Sequence, residues 1–322
     1  MGKPATPSVC KAAPAPVRDI RLEGFYSDGN SSIVDPAAYA RYQAASKPFN
    51  TLTAGLAAMS DAYVRAKPAD GAAASCALDW LHGWAVGDGL LGDVTNQGGY
   101  ERKWSLATIA LAYLKIREAP GLASERKQAV EAWIGRLAGK VVADYDTKKG
   151  KDSENNHVYW AALAVGAAAI VGNDGSLFDW AVAKYRFALT QIQADGTLPL
   201  EVARKSKARH YHVFSLEPLI MLAEMGAANG LDLYGEAGGA LHRLAARVIE
   251  SLDDPRHFER LTGAKQDWTG GKFGGHMIVW AEPYYARFKD PRLVAWISRF
   301  RPLSHSGIGG DATHAFGVKA LP

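Results

Sequence analysis

Residues 155–171 read Asn155-Asn156-His157-Val158-Tyr159-Trp160-Ala161-Ala162-Leu163-Ala164-Val165-Gly166-Ala167-Ala168-Ala169-Ile170-Val171. Ala and Leu follow the opening motif at helical spacing, and an Ala-rich run of this length favours helix over strand. Asn155 suits a helix cap. Outward from this run, helical apolar spacing returns over 36–46, 50–66, 70–87, 101–118, 124–145, 155–172, 176–193, 208–229, 236–251 and 275–288, with a shorter segment near 290–299. Gly92, Asn96-Gln97-Gly98-Gly99, Gly172-Asn173-Asp174-Gly175, Asp195-Gly196 and Asp253-Asp254-Pro255 separate the segments as breakers. Asp35-Pro36 has the form of a cap and first helical residue. Trp80 and Trp84 share a helix face. Leu78-Asp79-Trp80-Leu81, Val130-Glu131-Ala132-Trp133 and Leu177-Phe178-Asp179-Trp180 echo one another loosely. Trp80, Trp84, Trp133 and Trp180 are expected in the core. The pattern predicts an all-α protein, a toroid of helical hairpins, although an irregular helical bundle fits the same periodicity. Residues 1–35 lack periodicity and read as an N-terminal arm and loop. Residues 36–322 carry no linker and read as one domain.

The chain has 322 residues and a net charge of +4, with 48% hydrophobic and 22% charged residues. That balance excludes a disordered chain. The most apolar run, Ala161–Val171, is too short to span a bilayer. Nine Trp, thirteen Tyr and ten Phe accompany a pI of about 8.9. Aromatic and basic residues together suit nucleic acid, a membrane surface or an acidic sugar polymer. Two cysteines, Cys10 and Cys76, fit one disulfide or two separate buried thiols. A disulfide would pin the Pro/Ala-rich arm to the body. Met1-Gly2-Lys3-Pro4 leads into polar, proline-rich sequence without a signal-peptide pattern.

Two segments carry candidate chemistry. In the first, the opening helical turn presents Asn156, His157 and Trp160 together, where a helix N-terminus also favours negative charge. In the second, Leu198-Pro199-Leu200-Glu201-Val202-Ala203-Arg204 precedes Arg209-His210-Tyr211-His212. Arg204, Lys205, Lys207, Arg209, His210 and His212 make six potential cations. His210 and His212 diverge on a helix, so they are not read as a metal pair. Carboxylates are scarce around both segments. An amide, imidazoles, a phenol and an arginine suit β-elimination of a uronic-acid polymer. That step removes the C5 proton and expels the C4 oxygen. Donors must hold the carboxylate and stabilise the developing enolate. A base and an acid complete the step. It needs no metal and no cofactor.

These stretches resemble polysaccharide lyase family 5, the periplasmic alginate lyases. The resemblance rests on Asn155–Trp160, on Leu198-Pro199-Leu200-Glu201 with Arg204, and on His210-Tyr211-His212 followed by Leu216-Glu217-Pro218-Leu219. Arg204 lies 47 residues and Tyr211 54 residues beyond His157. Cys76–Leu81, Arg102-Lys103-Trp104, Leu177–Ala181, Trp280–Tyr284 and Gly309–Thr313 fit the same family, so the match covers nearly the whole chain from Tyr26 to Phe316. The resemblance implies an incomplete α/α toroid, export to the periplasm or beyond, and a Cys10–Cys76 disulfide. It implies that Asn156 and Arg204 neutralise the carboxylate. Tyr211 would be the acid and, for syn elimination, also the base. His157 would assist neutralisation or serve as base for the opposite face. The loop 26–34 would be a lid, with Tyr26 touching substrate. Phe25 stands where relatives carry a basic residue, which argues against strict alginate specificity.

Further groove contacts are expected from Trp160, which would stack on sugar, and from Gln97, Tyr100, Arg102, Lys151, His210 and Arg301. Asp79 and Glu282 carry no assignment. The expected substrates are β-D-mannuronate-rich alginate, glucuronan and hyaluronan, acted on by a monomer. Nucleic acid and membrane are not expected partners, because no basic stripe or recognised module is present. The rivals are an inverting glycoside hydrolase using a pair such as Asp28 and Asp311, and a non-catalytic periplasmic polyuronate-binding protein.

Overall fold

The computed structural model describes residues 10–66, 70–269 and 271–321. In chain order the helices are α1 (Pro36–Ala45), α2 (Lys47–Arg65), α3 (Gly71–Val86), α4 (Asn96–Ile116), α5 (Ser124–Thr147), α6 (Asn156–Gly172), α7 (Gly175–Gln191), α8 (Pro199–Val202), α9 (Ala208–Ala228), α10 (Glu236–Asp253), α11 (Arg256–Thr262), α12 (Ala281–Phe288), α13 (Val294–Phe300) and α14 (Ala312–Phe316). A short antiparallel ribbon pairs β1 (Ser304–His305) with β2 (Gly310–Asp311).

The helices form two rows. In the inner row α2 packs on α4, α4 on α6 and α6 on α9. The outer row, α3, α5, α7 and α10, backs them in hairpins; α3 packs on α5 and α7 on α10, while α5 meets α7 through Asp146, which accepts from Trp180 and pairs with Lys184. The far side of α2 meets β2 and the turn 306–308 instead of another inner helix. The result is an incomplete α/α toroid. No described helix is long and apolar enough to cross a membrane.

The α6 run occupies the centre because its residues are small. Asn156–Ala169 and Val171 are all buried against α4, α5, α7 and α9. An apolar surface on every side is what a helix with four neighbours requires.

The arm folds onto this frame. Trp80 Nε1 donates to Lys11 O and Trp84 Nε1 to Pro14 O. Residues 17–20 exchange backbone hydrogen bonds with 90–95. A disulfide joins Cys10 to Cys76. The shared face of Trp80 and Trp84 thus buries the indoles and spends their N–H groups on the arm. Trp133 is also fully buried. Trp180 is not core: it is half-buried, donates to Asp146 and carries Lys184 over its ring.

Several predicted boundaries move. Asn96-Gln97-Gly98-Gly99 is no breaker but the first turn of α4, capped by Thr95. Gly98 serves close approach, since a Cβ there would sit 2.1 Å from Ile20 O. The predicted helix 275–288 divides into a 3-10 turn at 275–278 and α12. The predicted helix over 236–251 bends at its start, where Ala237, Gly238 and Gly239 take positive φ. The short helices α8, α11 and α14 fall outside every predicted segment. Each spans two turns or fewer, too little for apolar periodicity to register.

Candidate active site

The site forms where the N-terminus of α6, the segment α8–α9 and the loop 26–34 converge. Asn155 caps α6 by accepting the His157 N–H at 2.9 Å. That cap fixes the next two side chains at the open end of the inner row. Asn156 donates its backbone N–H (2.9 Å) and its Nδ2 (2.8 Å) to Oε1 of Glu201. Its Oδ1 is buried without a hydrogen-bond partner among the described residues. The other Glu201 oxygen lies 3.5 Å from Arg204 Nε. The Arg204 guanidinium then sits over the Tyr211 ring, 4.0 Å from its centroid. The Tyr211 hydroxyl is 2.6 Å from the Tyr26 hydroxyl, which also reaches Thr269 Oγ1 at 3.3 Å. A continuous polar chain therefore runs from Asn156 to the loop over the cleft.

His157 is held on two sides. The Tyr100 ring stacks on it with centroids 3.7 Å apart, and Lys103 Nζ lies 3.2 Å from its Nδ1. Tyr100 itself donates to Asp152. Burial, then the charges of Lys103 and Arg204, keep the His157 pKa well below the usual range, so its imidazole is neutral. Burial raises the Tyr211 phenol well above its ordinary pKa; the neighbouring Tyr26 adds to this and Arg204 opposes it. Burial also raises the Glu201 carboxyl, with Arg204 opposing.

The second histidine pair separates as its spacing requires. His212 Nε2 accepts the Leu198 N–H at 2.8 Å, so its Nδ1 carries the proton and donates to Ala208 O at 2.7 Å. It positions the strand of chain that delivers Glu201. His210 faces a cavity of about 170 Å3 shared with Glu217, His276 and His305. Burial lowers its pKa to about 3. A neighbouring cavity of about 240 Å3 is lined by Glu101, Trp104 and Trp160, and shares His305 and Phe214 with the first. His305 Nδ1 is 2.6 Å from Glu217. Burial works against its protonation, but the Glu217 carboxylate outweighs it and raises the pKa.

The six cations of 204–212 do not gather as expected. Arg204 alone joins the polar chain. Lys207 pairs with Asp267, Arg209 donates to Ser251 O and lies over Trp268, and His212 is buried and neutral. Three expected groove contacts are structural. Arg102 is buried, with its guanidinium spent on Leu90 O, Gly92 O and Asp144. Arg301 forms a two-point pair with buried Glu282 and donates to Val318 O. Trp160 is 1% exposed, a buried wall of the larger cavity and not an open stacking face. Its Nε1 donates to Phe214 O at 3.1 Å, the carbonyl that loses its helical donor because Pro218 has no N–H. Lys151 is exposed and donates to Gly29 O of the loop. Gln97 is half-buried in the first turn of α4, near Tyr42.

The sequence reading missed Glu201 as a participant and took carboxylates to be scarce here, although Glu201 lies at the centre of the polar chain and Asp152 beside Tyr100. Lys103, His305, Glu217, His276 and Thr269 were also missed. Only the Leu-Pro-Leu-Glu turn next to Arg204 signalled any of them. Asp28 and Asp311, the hydrolase pair considered above, are both spent: Asp28 organises the turn 28–33, and Asp311 caps α14 and pairs with Arg65.

The alginate lyase family model matches residues 22–258. The chain is 35% identical over 310 residues to a polysaccharide lyase of Stenotrophomonas maltophilia, covering 95% of this chain and 90% of that protein. It is 34% identical over 317 residues to an alginate lyase of Cobetia marina, covering 95% and 83%. Among solved structures, a variant of alginate lyase A1-III complexed with a tetrasaccharide superposes with a TM-score of 0.86 at 25% identity, over 97% of this chain and 86% of that one. The chain belongs to the alginate lyase family.

Proposed function

We propose that this lyase cleaves 1,4-linked uronate polymers by β-elimination, acting on poly-β-D-mannuronate and also on glucuronan and hyaluronan. The observation that carries the reading is the position of Arg204, between the Asn156–Glu201 pair and the Tyr211 ring. One cation thereby serves both requirements of the reaction. It offsets the uronate carboxylate, and it favours the phenolate that removes the C5 proton.

In this reading Asn156 uses its second Nδ2 hydrogen on the uronate carboxylate, the first being taken by Glu201. His157 and Arg204 complete the carboxylate site. Tyr211 takes the C5 proton, the C4–O bond breaks as the C4–C5 double bond forms, and the same proton passes to the departing oxygen. The tyrosine ends the cycle as it began. Mannuronate and glucuronate differ at C2, so both place the C5 proton and C4 oxygen syn, within reach of one phenol. Tyr26 and the loop 26–34 close over the reacting sugar. His210 and the cavity beside it receive neighbouring residues of the polymer. The family suggests export and a monomer, with residues 36–322 as one catalytic domain; the disulfide suits an oxidising compartment.

The test is a polyuronate panel read at the ultraviolet band of the unsaturated uronate product. Mannuronate and glucuronate polymers should give signal. Reducing ends without that signal would indicate hydrolysis, binding without either a lectin-like protein, and signal from guluronate blocks alone would exclude the syn mechanism.

A further inference from the structure

Lys103 is a fully buried lysine in the third turn's approach to the site. Its ammonium lies 4.4 Å from the Tyr100 ring centroid and 4.2 Å from that of Trp104, with Tyr145 at 5.8 Å. Its one hydrogen-bond contact in this box is His157 Nδ1, at 3.2 Å. A buried lysine is costly: burial, with nearby Lys148, holds its pKa well below the ordinary value, and Glu101, Asp152 and Asp144 oppose that shift only in part. Two π faces favour the cationic form. An ammonium has three donors and no acceptor. Facing an ammonium, the imidazole nitrogen accepts and the ring proton sits on the other one, whereas a neutral amine could itself accept from Nδ1–H.

We propose that Lys103 is a positioning residue that fixes the tautomer of His157, so that His157 presents Nε2–H to the cleft as a hydrogen-bond donor. The inference rests on the β-elimination reading and deepens it. A histidine held in this form can bind the uronate carboxylate and stabilise the enolate. It cannot accept the C5 proton, because its only lone pair is engaged with Lys103. Tyr211 is then left as the sole base. Substrates whose C5 proton lies anti to the C4 oxygen, such as guluronate blocks, are refused by the protonation state of His157 and not by steric exclusion. The stacked Tyr100 ring supports the same end by preventing the imidazole from turning over.

The test is long-range proton–nitrogen NMR on enzyme labelled with nitrogen-15 histidine, with the His157 signals assigned by their loss in His157→Ala. The wild type should carry the proton on Nε2. Lys103→Met, which keeps the length of the side chain but removes the donors, should show a mixture of tautomers. It should lower kcat on poly-β-mannuronate about 10²-fold, the usual cost of losing one donor to a developing oxyanion. A wild-type proton on Nδ1 overturns the proposal, whether or not the Lys103→Met protein folds. So does an unchanged tautomer in Lys103→Met. If instead the proton is on Nε2 but mannuronate polymer yields no unsaturated product, the substrate reading fails while the tautomer assignment stands.

Discussion

On the α6 side of the cleft, Asn156, His157, Glu201 and Lys103 are all buried, and each is held by another. On the loop side, Tyr26 reaches the site through hydroxyl contacts to Tyr211 and Thr269, and the turn behind it is organised by its own Asp28. Phe25 anchors that side by packing on Tyr39 and Tyr42, an aromatic footing and not a charged one. The contrast is between a wall held by buried, mutually paired groups and a cover held by hydroxyl contacts and its own turn. Groups that must meet developing charge are preorganised in the wall, where low dielectric strengthens each contact. The cover meets the site through two hydroxyl contacts, which under the proposed reading makes it the side that opens to admit a polymer.

Wall and cover should respond differently to substitution. The largest effect is expected at their junction: Tyr211→Phe should lower kcat about 10³-fold on mannuronate polymer while leaving binding largely intact, measured by product absorbance and by calorimetry. Near-normal turnover would remove Tyr211 from the mechanism. Next comes the wall. Glu201→Ala leaves Arg204 and Asn156 without their buried partner and should cost about 3–5 kcal/mol in urea unfolding. A loss below about 1 kcal/mol, the scale of an exposed pair, would mean the wall is not rigid in the sense argued.

The wall should also be acid-sensitive through His212. Burial lowers its pKa from 6.5 to about 4. The native state resists the proton that the unfolded chain accepts. Its contribution is therefore complete above pH 6.5 and is lost as pH falls toward 4. The integrated effect is about 3 kcal/mol. Unfolding midpoints measured across that range should fall, and His212→Asn should flatten the slope; an unaltered slope would place the acid sensitivity elsewhere. The smallest effect belongs to the cover. Tyr26→Phe removes the hydroxyl contacts to Tyr211 and Thr269, together worth about 1 kcal/mol, and should reduce kcat/KM roughly fivefold. A loss matching that of Tyr211→Phe would erase the distinction between wall and cover.

The helical frame was legible because its signals are local. The run 155–171, the breakers after it and the Asp35-Pro36 cap act through neighbours three and four residues away, and the hairpins appear at the expected places. The motif residues Asn156, His157, Arg204 and Tyr211 also converge, since each is delivered by a helix end or the turn beside it. The surface and interior assignments of single long side chains were not legible. Arg102, Arg301 and Trp160 have the composition of groove residues, yet each meets a partner far along the chain or a carbonyl freed by Pro218. The Asn96–Gly99 stretch is helix capped by Thr95, and its Gly98 is there for close approach to the arm at Ile20, a contact across some eighty residues. The sequence by itself determined the helical hairpins, the cleft-end motif and the family. Only the tertiary structure decided that Glu201 and Lys103 stand behind Asn156 and His157, because burial and long-range pairing set the charge and the reach of a side chain.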